Sequence, residues 1–202
     1  MRARRHVVLL AKAPRRGAVK RRLAAGIGDA AALAFYRATL RGVARRLGGD
    51  PRWTLWIAVT PERVDMHSWR FGLRRRPRLL KQGAGDLGHR MGRVLRTLPP
   101  GPVVIVGSDI PALDRRHIAD AFAQIGGADL VFGPALDGGY WLIGARGAAR
   151  HADLFRAVRW STGHALEDTR ANVPPGRRVA LLAALQDIDD AAALAAWRAS
   201  RG

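Results

Sequence analysis

The sequence contains no cysteine. That excludes a disulfide scaffold, a thiol nucleophile and a cysteine-ligated zinc or iron–sulfur centre. Lysine is scarce, occurring only at 12, 20 and 81, so 32 of the 35 basic residues are arginine. Long hydrophobic runs are also missing: the most apolar stretch, residues 103–106, falls far short of the ~20 residues that span a bilayer. The N-terminus is basic and then apolar, as in a signal peptide. Its apolar segment, residues 7–11, is short and ends at Lys12, so the expectation is a soluble cytoplasmic protein with no membrane span. Histidines at 6, 67, 89, 117, 151 and 164 show no metal-ligand spacing, and there is no G-x-S-x-G nucleophile elbow.

What is present is a chain of 202 residues, 48% hydrophobic, long enough for one domain over residues 1–202 with a sizeable core. The net charge of +19 is unevenly placed. Residues 1–100 hold 24 basic and 5 acidic side chains, whereas residues 101–202 hold 11 of each. A nucleotide or polyphosphate partner would suit the first half. A compositional arginine bias explains the same numbers. No nucleic-acid-binding motif is present, so RNA or DNA is not the expected partner.

Short apolar runs at 6–11, 53–59, 78–81, 102–108, 129–133, 140–145 and 179–183 read as strands. Several lack polar alternation, as expected where both faces of a sheet are covered. Between them lie helical patterns at 29–47, 87–98, 115–125 and 190–199, with Asp114 as a candidate N-cap. The alternation predicts an α/β fold: three layers, α/β/α, around a mostly parallel central sheet. Ligands of such sheets bind beyond the carboxyl ends of the strands, which directs attention to particular loops.

The loop after the first strand, residues 12–23, gathers Lys12, Arg15, Arg16, Lys20, Arg21 and Arg22 around Pro14 and Gly17. It lacks Walker spacing, yet a basic turn before a helix suits phosphate. A solvated arginine-rich loop is the plain alternative. Residues 82–88, Q-G-A-G-D-L-G, match G-x-G-x-x-G, and Asp109 follows about twenty residues on. A dinucleotide site and a glycine-rich turn before a helix both fit. At 107–111, G-S-D-I-P, Asp109 stands just past the most apolar strand. A carboxylate there could hold Mg²⁺ or Mn²⁺ against a diphosphate, or simply form a turn before proline.

Two apolar runs flank Asp137, Gly138 and Gly139, so residues 133–141 read as a hairpin or as a loop presenting Asp137 as an anchor or base. Ser161 or Thr162, after Trp160, could cap a helix. In Q-D-I-D-D at 186–190, alternation puts Asp187 and Asp189 on one side. One of them could be a second metal ligand facing Asp109, with helix capping by Asp189 or Asp190 as the competing role.

Taken together and in order, these segments resemble a family of predicted glycosyltransferases encoded beside radical-SAM/selenodomain proteins, with members assigned to arsenosugar biosynthesis. The shared patterns are A-K-x-P-x-x-G-x-V-K-x-R-L, Q-G-x-G-D-L-G-x-R-M, G-[ST]-D-x-P-x-L, G-P-x-x-D-G-G-Y-x-L-I-G, W-S-T and D-x-D, and they run from Ala11 to Asp189. The family is similar to the nucleotide-diphospho-sugar transferase superfamily, with the glycosyltransferase-A fold. The resemblance implies a nucleotide site from Ala11, Lys12, Pro14, Gly17, Lys20, Arg22, Gln82, Gly83, Asp86, Leu87 and Gly88. It implies a divalent metal, Mg or Mn, at Asp109, shared with Asp189. It implies acceptor or sugar contacts from Asp137, Gly138, Gly139, Tyr140, Trp160, Ser161 and Thr162, with Asp109 and Asp137 as the catalytic pair. The expected partners are a nucleotide sugar and a small acceptor. Transfer of a nucleoside monophosphate from a triphosphate to a phosphorylated small molecule is the same-fold alternative. One departure stands out: Asp109 is followed by Ile110 and Pro111, so the usual D-x-D is absent at that position.

Overall fold

The computed structural model describes residues 4–61 and 77–200. His67 lies outside them. The strands are β1 (Arg5–Lys12), β2 (Trp53–Thr60), β3 (Arg78–Lys81), β4 (Val103–Gly107), β5 (Leu130–Pro134), β6 (Tyr140–Ala145) and β7 (Val179–Leu181). The helices are α1 (Arg21–Ile27), α2 (Asp29–Leu47), α3 (Leu87–Thr97), α4 (Arg115–Gly127), α5 (Ala165–Ala171) and α6 (Ala191–Ala199). The seven strands form one sheet in the order β3-β2-β1-β4-β6-β5-β7. Only β6 runs against its neighbours, β4 and β5. The predicted mostly parallel α/β sheet is therefore the fold observed.

The unbroken apolar runs have a direct cause. In β1, Val7, Leu9 and Ala11 face one core cluster while Val8 faces the other; in β4, Val104 and Val106 oppose Val103 and Ile105 in the same way. On one face the stripe Tyr36, Leu40, Val43 and Leu47 of α2 packs beside Ile118, Ala121, Phe122 and Ile125 of α4. On the other face lie Met91, Val94 and Leu95 of α3. A smaller cluster joins Leu23 of α1, Ala32 of α2 and Leu194 of α6 through Ile188. Full burial of a Leu- or Ile-sized side chain contributes about 1.5–3 kcal/mol, so these two faces carry most of the fold's favourable free energy.

Two short helices, α1 and α5, escape the sequence periodicity because each has only seven residues. Asp114 caps α4, accepting from the amides of Arg116 and His117. Asp190 caps α6, accepting from Ala193 N at 2.8 Å, which leaves Asp189 free of that role. His164, not Ser161 or Thr162, occupies the cap position of α5. The short β3 pairs only with β2 at the sheet edge, so the G-x-G-x-x-G segment lacks the central strand that a dinucleotide fingerprint requires. No helix among the described residues is long and apolar enough to cross a membrane.

Candidate functional site

Because β1, β2, β3, β4, β5 and β7 run parallel, their carboxyl ends share one edge of the sheet. The loop after β1 turns at Gly17, where φ is +72°, and ends at Lys20, which has a left-handed φ of 50°. That conformation costs a non-glycine residue roughly 1–2 kcal/mol. Lys20 Nζ donates to Asp109 Oδ2 at 3.1 Å and to Asp189 Oδ1 at 2.5 Å, and these pairs offset the strain. Burial alone would lower the Lys20 pKa, but the two carboxylates outweigh it and the net shift is upward.

Asp109 stands immediately beyond β4. The strand after β7 reaches it by following β5: Leu182 N donates to Phe132 O, Leu185 N to Pro134 O, and Ile188 N to Asp109 O. Asp187 and Asp189 thereby flank Asp109. Carboxylate oxygens of Asp109, Asp187 and Asp189 lie within 4.8 Å of one another. Alternation offers Asp187 or Asp189 as a second ligand and the resemblance implies Asp189; the structure brings both carboxylates to Asp109. Burial pushes the Asp187 pKa up to about 6, and the negative charges of Asp189, Asp109 and Asp137 add to the shift. Excess negative charge and hard oxygen donors suit a divalent cation such as Mg²⁺ or Mn²⁺.

Around this centre the basic loop is held from below. The Tyr36 hydroxyl donates to Lys12 O and accepts from Lys12 N, each at 2.9 Å, and lies 3.3 Å from Ser108 Oγ. Tyr36 therefore ties the loop after β1 to the loop after β4. The sequence shows it only as one position of the 29–47 helical pattern, since nothing in the sequence pairs position 36 with 12 and 108. The Arg37 guanidinium donates to Pro14 O. The side chains of Lys12 and Arg22 are exposed, toward solvent.

Gln82 is buried, and its amide donates to Ala11 O and Ala58 O, at 3.1 and 2.8 Å. It links the ends of β1, β2 and β3. Gly83 and Gly85 both have positive φ, and Arg93 braces the loop by donating to Gln82 O and Ala84 O. Asp86 caps α3, accepting from His89 N at 2.8 Å, and this hydrogen bond holds its carboxyl below the ordinary range. Leu87, implied as a nucleotide-site residue, is 43% exposed at the first position of α3.

The remaining predicted residues meet on the other side. Residues 135–139 are the turn of the β5–β6 hairpin, and Asp137 Oδ1 accepts from Gly139 N at 2.9 Å. Gly138 packs on the backbone of Gly163, and its carbonyl accepts from Leu166 N. Thr162 Oγ1 donates to Arg159 O. Ser161 has a φ of 61°. Trp160 sits between Tyr140 and Phe155 and lies against Gly88, where a β-carbon would stand 2.8 Å from the indole. The Tyr140 hydroxyl is turned inward to Thr169, 3.4 Å away, so the ring rather than the hydroxyl contributes to this wall. A cavity of about 490 Å³ opens beside it, bordered by Gly138, Gly163, Leu166, Glu167, Arg170 and Val179.

A family model matches residues 40–162, more than half of the chain; the family, DUF2064, is described as an uncharacterized protein conserved in bacteria. The chain belongs to DUF2064. No curated protein matches the sequence. Among solved structures, this DUF2064 chain is similar to a provisional nucleotide-diphospho-sugar transferase from Desulfovibrio desulfuricans, with 26% identity, a TM-score of 0.80, and 92% of this chain and 82% of that chain covered. It shares its fold with the 4-diphosphocytidyl-2C-methyl-D-erythritol synthase of Anaerococcus prevotii, at 8% identity and TM-score 0.64, covering 98% of each chain. The fold is also that of glucosyl-3-phosphoglycerate synthase from Mycobacterium tuberculosis, solved with Mn²⁺, UDP and glucosyl-3-phosphoglycerate. There the identity is 15%, the TM-score 0.54 and the coverage 92% of this chain and 71% of that one. The superfamily expected from the sequence is thus the one in which this DUF2064 structure falls.

Proposed function

We propose that this chain, one domain over residues 1–202, is a cytoplasmic glycosyltransferase that moves a sugar from a nucleotide-diphosphate donor to a small acceptor. The observation that carries the reading is the pairing of Lys20, from the basic loop after β1, with Asp109 and Asp189 of an Asp109–Asp187–Asp189 carboxylate cluster at the carboxyl edge of the sheet. The resemblance to glycosyltransferases associated with radical-SAM/selenodomain proteins and arsenosugar biosynthesis favours the sugar-transfer branch of the superfamily.

Lys12, Lys20 and Arg22 would bind the diphosphate by charge-assisted hydrogen bonds. Ala11, Pro14, Gly17, Gln82, Gly83, Asp86, Leu87 and Gly88 would wall the nucleoside. Asp109 and Asp189, joined by Asp187, would hold Mg²⁺ or Mn²⁺, which when bound supplies charge neutralisation at the departing diphosphate. Asp137 would orient the acceptor hydroxyl and take its proton. The sugar–phosphate C–O bond breaks, the sugar–acceptor C–O bond forms, and the nucleoside diphosphate leaves. Gly138, Gly139, Tyr140, Trp160, Ser161 and Thr162 would border the sugar or acceptor.

Thermal unfolding against nucleoside diphosphates, triphosphates and nucleotide sugars, each with Mg²⁺, Mn²⁺ or chelator, tests this. A ligand at 100 times its Kd stabilises by about 2.7 kcal/mol. A metal-dependent rise with one diphosphate and its sugar is expected, and silence across a saturating panel overturns the reading. The fold shared with a diphosphocytidyl-methylerythritol synthase supports a second reading, nucleotidyl transfer with pyrophosphate release. A rise with triphosphates alone, with pyrophosphate released, would select it.

A further inference from the structure

The Lys20 side chain is 6% exposed, and its ammonium rests on oxygens of Asp109 and Asp189, two of the three carboxylates that converge beyond β4. A divalent cation seated on the same carboxylates would bring a second positive charge into the volume that this ammonium fills. The same oxygens cannot serve both at full strength, since a hard cation takes carboxylate oxygens at about 2.0–2.6 Å.

The residue type matters here. Only three lysines occur in the whole chain, against 32 arginines, and two of the three stand in this loop. An arginine would lock onto a carboxylate with a planar fork. A lysine presents a compact charge on a flexible four-carbon stem, and can exchange one set of oxygens for another. The loop that carries Lys20 also presents the exposed Lys12.

We propose that Lys20 is an internal counter-cation that couples metal binding to donor binding. In the free protein it partly offsets the charge of the carboxylates by pairing with Asp109 and Asp189. When a divalent cation takes those oxygens, the ammonium is displaced, and the donor's diphosphate receives it. Metal alone therefore binds against the resident ammonium, and metal with a diphosphate binds without that opposition. By linkage the coupling is mutual: each ligand raises the affinity for the other by the same factor. The diphosphate half of this inference rests on the donor class proposed above, and the metal half stands apart from it.

The test is Mn²⁺ binding followed by electron paramagnetic resonance, for wild type, Lys20→Met and Lys20→Arg, with and without UDP, CDP, GDP or ADP. Manganese held by the nucleotide in solution is subtracted from a protein-free titration. Wild type is expected to bind Mn²⁺ weakly alone and about tenfold or more tightly with one of the diphosphates. Lys20→Met is expected to bind Mn²⁺ alone at least about tenfold more tightly than wild type, with the diphosphate effect greatly reduced. Lys20→Arg, which keeps the charge, is expected to bind Mn²⁺ alone no better than wild type.

Equal Mn²⁺ affinity in wild type and Lys20→Met would overturn the inference. So would a diphosphate that binds wild type without changing its Mn²⁺ affinity. If no diphosphate binds at all, the proposed donor class fails, yet the comparison of Mn²⁺ alone still decides the role of Lys20. Should Lys20→Met melt early from carboxylate repulsion, Mn²⁺ is expected to raise its midpoint more than that of wild type, and an equal rise counts against the proposal.

Discussion

The backbone amide of Ile188 donates to the carbonyl of Asp109, 3.3 Å away. This hydrogen bond links the loop after β4 to the segment after β7, and carboxylate oxygens of Asp187 and Asp189 come within 4.8 Å of one on Asp109. The side chain of Ile188 is buried beneath, with Leu23 and Leu194, so the arrangement is anchored on both backbone and core. A carboxylate cluster is electrostatically unfavourable on its own. Here Lys20 and the buried Ile188 hold it together.

Asp109→Asn is expected to abolish transfer while the fold persists. Lys20 keeps Asp189, and the Ile188 bond uses the Asp109 main chain, so the change in stability should stay within about 1 kcal/mol for a partly exposed pair. Turnover should fall by on the order of 10²–10³ or more, the scale of losing one positioned electrostatic group. Rate measurements with the donor identified by thermal shift, alongside circular dichroism melting, check both halves. Near wild-type turnover would remove Asp109 from the catalytic machinery.

Tyr36→Phe should cost more stability than a typical surface change. It leaves Lys12 N and Lys12 O without the hydroxyl that satisfies both, and frees Ser108. The loss should be about 1–3 kcal/mol, the usual penalty for unpairing buried polar groups. Donor affinity should fall too, since the loop carrying Lys12 and Lys20 loses its tie to the loop after β4. Urea titration gives the first number and calorimetry with the donor the second. A variant as stable as wild type, binding donor equally well, would mean that the tie is idle.

The strands and long helices were legible because burial on both faces leaves unbroken apolar runs, and one-faced burial leaves a 3.6-residue period. The helix cap Asp114 and the position of Asp109 beyond the central strand were legible for similar local reasons, whereas the cap Asp86 was not read from the sequence. Other features depend on which distant segments meet. Nothing local tells that Tyr36 bonds to Lys12 and Ser108, that Lys20 bridges Asp109 and Asp189, or that Gly138 lies on Gly163. Asp187 against Asp189 turned on how the chain leaves β7, which the parallel run along β5 decides. Leu87 opens α3 and is exposed, whereas Gly88 beside it is buried against Phe155 and Trp160.

Gly138→Ala should destabilise the wall formed by the hairpin turn and the 160–163 segment. Gly138 has a φ of +82°, and a β-carbon there would collide with the Gly163 carbonyl. The φ alone costs roughly 1–2 kcal/mol, and the collision forces backbone to move. A loss of at least about 2 kcal/mol is expected, together with a raised KM for acceptor. Gly139→Ala is a useful contrast, because a β-carbon there meets only the adjacent Asp137 carboxylate. Equal stability of the two variants would refute the argument from close approach.

The raised pKa of Asp187, about 6, makes a signed prediction. Folded protein keeps this proton to higher pH than the unfolded chain, whose carboxyl titrates near 3.8. Stability contributed by the group is therefore present in acid and lost as pH rises from about 4 through 6. Asp187→Asn should remove that loss and stabilise the metal-free protein above pH 6 by about 1 kcal/mol after solvent screening. Wild-type Mn²⁺ affinity should weaken as pH falls through about 6. A flat affinity from pH 7 to pH 5 would take Asp187 out of the cation site.

His6 makes a prediction of opposite sign at the other end of the sheet. Its ring is buried, and Nδ1 accepts from the Trp56 indole N–H at 3.2 Å. Burial holds its pKa below the usual 6.5. The positive charges of Arg150, Arg4 and Arg78 act the same way, against a contrary pull from the Pro100 carbonyl. Near pH 6 the unfolded chain therefore binds a proton that the folded protein refuses. Stability is full above about pH 6.5 and falls below it, by up to about 1.4 kcal/mol per pH unit, until the folded state takes up the proton. The Asp187 effect runs the other way in an overlapping range, so the measurement belongs in the Asp187→Asn background. There, urea midpoints should fall steadily from pH 6.5 to 5.5, and adding His6→Gln should flatten that fall even if it lowers stability throughout. An unchanged slope in the double variant would assign the acid sensitivity to another group.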